Sequence, residues 1–198
     1  MKIYFIRHAP TLANMSGSMV PNYASTEIIK PTQEEIDLWQ ERVGQHIDYT
    51  NAHIYVSPTT RAVQTADTFL KTSGVEATLI GPLAEFDCSG LGDLKFWKIT
   101  KKVFEEYVPT VTSTTMCYQA AKLDALLRSS GFDNCICVSH GMLIRYMFHF
   151  YSGRWDVHPF DIINSKDFTF SHLDMMVLDT KAQRIELYRY KEPVQHDK

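Results

Sequence analysis

The chain has 198 residues, 44% hydrophobic and 22% charged, with a formal net charge of −3, the balance of an ordinary globular chain long enough to bury a substantial core. It carries no Lys/Arg run able to track a nucleic-acid backbone and no apolar stretch near the roughly 20 residues of a membrane span, so nucleic-acid and membrane partners are excluded. Its four cysteines, Cys88, Cys117, Cys135 and Cys137, lack the paired spacing of a zinc site and read as reduced core thiols; with a strand and no signal peptide at the N-terminus, the cytoplasm is the expected compartment.

In chain order, Lys2 to Ile6 is a short apolar run rich in β-branched and aromatic residues that stops at Arg7-His8. It reads as a buried strand delivering a guanidinium and an imidazole into the loop at its end. On their own these two residues fit a solvated strand end equally well. Met15 to Lys30 has loop composition. Thr32 and Glu35 form a capping box for a helix that buries Ile36, Trp39, Val43 and Ile47. His53 to Val56 is a second strand. It runs into a helix with Ser57 as N-cap and Pro58 at its first position, Arg61 on the first turn, and Gly74 at its end.

Ala77 to Ile80 is a third strand, followed by Leu83-Ala84-Glu85. Gly90 to Asp93 is a turn and not a dinucleotide fingerprint. Helices are expected over Phe96 to Tyr107 and Met116 to Ser130, with Val108 to Thr115 connecting them. Asn134 to Ser139 is a strand that ends in His140-Gly141, with a helix starting beside it. Leu173 to Leu178 and Arg184 to Tyr190 make a hairpin, and the tail after Glu192 is frayed. Strands alternating with helices give a single α/β domain over residues 1–198, a three-layer α/β/α sandwich with a mostly parallel central sheet and a C-terminal β-hairpin.

If the histidine-terminated strands are parallel neighbours, Arg7, His8, Arg61 and His140 meet at one sheet edge. Unneutralised, these groups repel one another, and a phosphoryl group matches their donors. The helix starts near Ser57 and Gly141 offer further N–H groups to an anion. Arg7-His8-Ala9-Pro10-Thr11-Leu12-Ala13-Asn14 resembles the Arg-His-Gly-x-Thr-x-x-Asn signature of the histidine phosphatase superfamily, with Ala9 where that family usually has Gly. Ser57 to Ala66 is similar to its second arginine segment, Leu83-Ala84-Glu85 to its acid segment, and Val138-Ser139-His140-Gly141 to its second histidine segment. All four occur in the family's order. After Glu85 the chain departs from the family's Gly-x-Trp-Glu-Gly pattern.

The resemblance implies that His8 is the nucleophile and that Arg7, Arg61 and His140 clamp the transferring oxygens. Thr11 and Asn14 are candidates for substrate contact or, equally well, for simple hydrogen bonding within their loop, and Gly141 is expected to contact substrate. Glu85 is the expected acid for the leaving oxygen, with Asp87 as the fallback. A nucleophilic His8 must be neutral, which requires an acceptor on its second ring nitrogen. The remaining histidines, His46, His53, His149, His158, His172 and His196, match no catalytic segment and read mostly as surface or satisfied core residues. The expected activity is metal-independent hydrolysis of a small phosphorylated metabolite, with no cofactor and no signal for an oligomeric state. A mutase that returns the phosphoryl group to product and a silent phosphate-binding module are the alternatives. The loop 15–30, the connector 108–115 and the segment 152–172 are the expected pocket rim; in them Tyr23, Trp155 and Phe160 read more as core than as a stacking surface for substrate.

Overall fold

The structure is a computed structural model that describes residues 1–17, 26–91, 94–95, 98–164 and 168–191. Tyr23, Gly92, Asp93, Phe96 and the tail with His196 lie outside the described residues. Six strands form one sheet: β1 (Lys2–Arg7), β2 (Ala52–Val56), β3 (Ala77–Leu79), β4 (Asn134–Ser139), β5 (Met175–Asp179) and β6 (Arg184–Tyr188). Their order is β3-β2-β4-β1-β5-β6. The first four are parallel to one another, while β5 runs antiparallel to β1 and to β6. The helices in chain order are α1 (Leu12–Met15), α2 (Gln33–Arg42), α3 (Thr60–Phe69), α4 (Lys101–Tyr107), α5 (Ser113–Arg128), α6 (Gly141–Tyr151) and α7 (Pro159–Asn164).

The alternation of side chains along each strand divides the core in two. Ile3, Phe5, Cys135, Cys137 and Met176 face the layer of α5, α6 and α7, where Leu123, Leu127, Leu143, Met147 and Ile162 meet them. Tyr4, Ile6, Ile136, Val138 and Val177 face the layer of α2 and α3, filled by Trp39, Ala62, Ala66 and Phe69. Each large apolar side chain buried this way stabilises the fold by roughly 1.5–3 kcal/mol. The central strands carry polar side chains mainly where they end, so the chemistry gathers at the carboxyl edge. All four cysteines are free, and among the described residues no helix is long and apolar enough to cross a membrane.

The elements follow the sequence pattern, with shifted boundaries. α5 starts at Ser113, three residues before the expected position, because Thr112 and Thr115 close a capping box there. α4 starts at Lys101 under the Thr100 cap. α3 starts at Thr60 with Thr59 at its N-cap position, and not at Ser57. The α3 helix gives way at Leu70 to a short 3-10 turn, and Gly74 in the left-handed region, at φ 68°, closes that turn. Trp155 is 58% exposed, contrary to the expected core position, and its indole N–H donates to the Phe150 carbonyl at 2.9 Å.

Candidate active site

The β1 and β4 strands lie side by side with Arg7 opposite Ser139, and the His8 N–H donates to the Ser139 carbonyl at 2.9 Å. That register fixes the residues just beyond each strand, and the rings of His8 and His140 meet with centroids 5.1 Å apart at an interplanar angle of 64°. Both side chains are buried. Two histidines separated by most of the chain thus share one hollow because their strands end level.

His8 Nδ1 donates to the Ala9 carbonyl oxygen at 2.7 Å. A carbonyl only accepts, so this contact puts the neutral ring's proton on Nδ1 and its lone pair on Nε2. Burial holds the ring's proton affinity well below that of an ordinary imidazole. Arg7 and Arg61 act in the same direction, while the Ala9 carbonyl opposes them. The loop after His8 is pinned by the Ala9 N–H, which donates to Thr65 Oγ1 at 2.9 Å, and Thr65 in turn donates to the Arg61 carbonyl at 2.6 Å.

Ser57 and Thr59 have a different task from capping. His140 Nε2 shares a hydrogen bond with Ser57 Oγ at 2.8 Å and approaches Thr59 Oγ1 at 3.4 Å. These contacts orient the second imidazole and leave its Nδ1 buried without a partner among the described residues. Burial first, then His8, Arg61 and Arg7, keep His140 neutral.

Arg7 donates from Nη1 to the Phe170 carbonyl at 2.7 Å, and its Nε is buried without a partner among the described residues. Burial and the nearby Arg145 lower its pKa to about 10, so it remains a cation at neutral pH. Its guanidinium packs against Gly141, where an added Cβ would stand 3.0 Å from both Cζ and Nε. Gly141 therefore makes room for Arg7. Arg61 is only 1% exposed. Burial lowers its pKa, and Glu85 is the acidic group near enough to oppose that shift.

Glu85 sits at the start of α6. Its Oε1 accepts from the Leu143 and Phe86 N–H groups at 2.9 and 3.2 Å, and its Oε2 accepts from the Met142 N–H at 3.0 Å. The N–H groups that the sequence offered to an incoming anion are thus taken by an internal carboxylate. Oε2, with one bond instead of two, is the oxygen with room for a proton. Burial raises the carboxyl's pKa, against these three N–H groups and Arg7. Asp87 is exposed and turns back to accept from the Ser89 N–H at 3.0 Å, away from the role of acid.

Thr11 and Asn14 satisfy each other. Thr11 is the N-cap of α1, and Asn14 Oδ1 accepts from both its N–H, at 3.1 Å, and its hydroxyl, at 2.8 Å. Two residues without a sequence motif do reach the site. His172 packs its ring against His8 with centroids 5.3 Å apart, and Arg145, one turn into α6, lies close enough to influence Arg7 and Glu85. His53, by contrast, is a satisfied core histidine, stacked on Phe132 and bonded to Thr78 Oγ1 at 2.8 Å. The signal for His172 was topological: a strand antiparallel to β1 must start at the edge where β1 ends.

Several solved structures share this fold. Phosphoserine phosphatase from Entamoeba histolytica, in complex with 3-phosphoglyceric acid, matches with a TM-score of 0.73 at 16% identity, over 96% of this chain and 98% of that one. The alpha-ribazole phosphatase of Shigella flexneri matches at 0.70 and 16% identity, over 94% of each chain. A mycobacterial glucosyl-3-phosphoglycerate phosphatase matches at 0.62 and 15% identity, over 94% of this chain and 96% of its own. No curated protein matches the sequence significantly. The family model of the histidine phosphatase superfamily (branch 1) matches residues 3–190, and the chain belongs to that superfamily.

Proposed function

We propose that this protein is a phosphomonoesterase that hydrolyses a small phosphorylated metabolite through a phosphohistidine on His8, without a metal ion. The observation that carries this reading is the bond from His8 Nδ1 to the Ala9 carbonyl. It leaves the Nε2 lone pair available inside a cluster of cations.

The proposed steps use the groups gathered at this edge. His8 Nε2 attacks phosphorus, and the bond to the leaving oxygen breaks on the opposite side. Arg7, Arg61 and the neutral His140 donate to the equatorial oxygens, where charge gathers. Protonated Glu85 gives its proton from Oε2 to the departing alkoxide, then takes one from the water that attacks the phosphohistidine. Phosphate leaves and His8 is neutral again. Among the described residues no group of three or more His, Cys, Asp and Glu side chains suits a metal ion, and the buried guanidinium groups favour an anion there.

The relatives named above are phosphatases of phosphoserine, ribazole phosphate and a glucosylated phosphoglycerate. A phosphate ester on a small polar metabolite is the substrate class we draw from them. The test is hydrolysis of an aryl phosphate and of a panel of such esters, with chelator present. Wild type should release inorganic phosphate at an undiminished rate and, on rapid quench, show an alkali-stable, acid-labile phosphoryl label that His8→Ala lacks. A His8→Ala protein with unchanged turnover would overturn the nucleophile, and isomerisation without phosphate release would replace the hydrolase with a mutase.

A further inference from the structure

We propose that His172 is a third imidazole of the phosphate site, whose Nε2–H donates to an equatorial oxygen of the phosphoryl group held at His8. The proposal rests on the reading of His8 as the nucleophile. His172 belongs to none of the family's motif segments in this sequence. Its ring lies 5.3 Å from that of His8, nearly the separation that His140 keeps on the same ring. Its Nε2 is buried and has no partner among the described residues. A buried polar atom left unpaired is unfavourable, and a ligand oxygen removes that cost.

The backbone that carries His172 is held for the purpose. Leu173, the next residue, has φ +66°, a left-handed conformation that a bulky side chain rarely adopts. Four hydrogen bonds hold the turn around it. The Leu173 N–H donates to the Arg7 carbonyl at 3.0 Å, and the Asp174 carbonyl accepts from the Arg7 N–H at 3.2 Å. Trp39 Nε1 donates to the Leu173 carbonyl at 2.9 Å, and the Ser171 N–H donates to Asp174 Oδ2 at 2.8 Å. The turn is thus tied to the strand that leads into His8, which fixes the backbone of His172 relative to that of His8. Burial, Arg7 and His8 keep the His172 ring neutral while the pocket is empty, and a neutral ring still carries one N–H to give.

Position decides which oxygen it meets. In-line attack puts the leaving oxygen on the far side of phosphorus from His8. A ring packed beside the nucleophile is therefore placed for the equatorial oxygens and not for the alcohol. Arg7 sits close to the same rings, and its charge selects an anion over a metal ion as the guest.

The experiment compares wild type, His172→Ala and His172→Gln by calorimetric binding of inorganic phosphate, by kcat and KM for an aryl phosphate, and by melting temperature. Removing one hydrogen bond to a charged oxygen should weaken phosphate binding and lower kcat/KM by about tenfold in His172→Ala. Glutamine presents an amide N–H close to the position of Nε2 and should recover most of both losses. A His172→Ala protein that binds phosphate within twofold of wild type, or a glutamine variant no better than alanine, would overturn the assignment. His8→Ala is measured alongside. Hydrolysis surviving in that protein counts against the nucleophile, while the phosphate affinities of the His172 variants still decide the third imidazole.

Discussion

Arg7 leaves no space for a methyl group on Gly141. A Cβ there would stand 3.0 Å from the guanidinium carbon, and the guanidinium is tethered to the Phe170 carbonyl, so in the proposed mechanism it yields by losing alignment with the phosphoryl oxygens. Gly141→Ala should lower kcat/KM by roughly tenfold or more, while the melting temperature holds, since alanine suits the first turn of α6 at least as well as glycine. Steady-state kinetics beside a melting curve separates the two effects; unchanged kinetics would mean that Arg7 does not need its place. Ala9 is the reverse case. It stands where the family usually has glycine, but the described non-glycine residues with positive φ are Asn51, Leu173 and Gln183. Glycine at position 9 would add freedom to the unfolded chain with no strained angle to relieve.

At the scale of elements, the turn 171–174 shows how one buried carboxylate organises a segment. Asp174 is fully buried, its Oδ1 accepts from the Tyr190 N–H at 3.0 Å, and its Oδ2 takes the Ser171 N–H and the Arg189 guanidinium at 2.8 and 2.7 Å. Asp174→Ala strands all three donors. It should cost about 3 kcal/mol of unfolding free energy and lower activity further than the stability loss alone, because Leu173 is then free to leave its left-handed conformation. Chemical denaturation with a matched activity assay measures both; a stable, active variant would show that the turn needs no anchor. Much of this architecture was legible in the sequence. The periods of two and 3.6 placed the strands and the core faces of the helices, and the strand-end histidines marked the edge where the two rings meet. Ser57 was misread as a cap because serine before proline is a good helix start locally, whereas its partner, His140, lies far along the chain. His172 escaped for the same reason: nothing in the sequence near Leu173 says that the strand it precedes runs antiparallel beside β1.

For the molecule as a whole, the crowding of basic groups at one edge links stability to pH. His8, His140 and His172 are all held neutral, with burial as the leading cause and neighbouring cations adding to it. In the unfolded chain each takes up a proton as the pH falls through about 6.5, and in the folded protein it does not. The unfolded state then binds more protons, so stability falls with acidity, by up to about 1.4 kcal/mol per histidine for each unit below that value. Glu85 runs the other way: its raised pKa stabilises the fold at low pH and that contribution is lost as the pH rises through it. One carboxyl opposes three imidazoles, and urea unfolding at pH 7, 6 and 5 should show a steady loss. A flat profile would mean that the three rings protonate freely in the fold. The position of β1 carries a separate consequence. Both of its hydrogen-bonding neighbours, β4 from Asn134 and β5 from Met175, are synthesised long after it. Its apolar length therefore leaves the ribosome with two bare edges and stays so until most of the polypeptide has followed. Refolding should be slow and prone to aggregation, because both pairings of β1 join segments distant in sequence, and the hollow around His8 and His140 forms only once β4 has docked beside it.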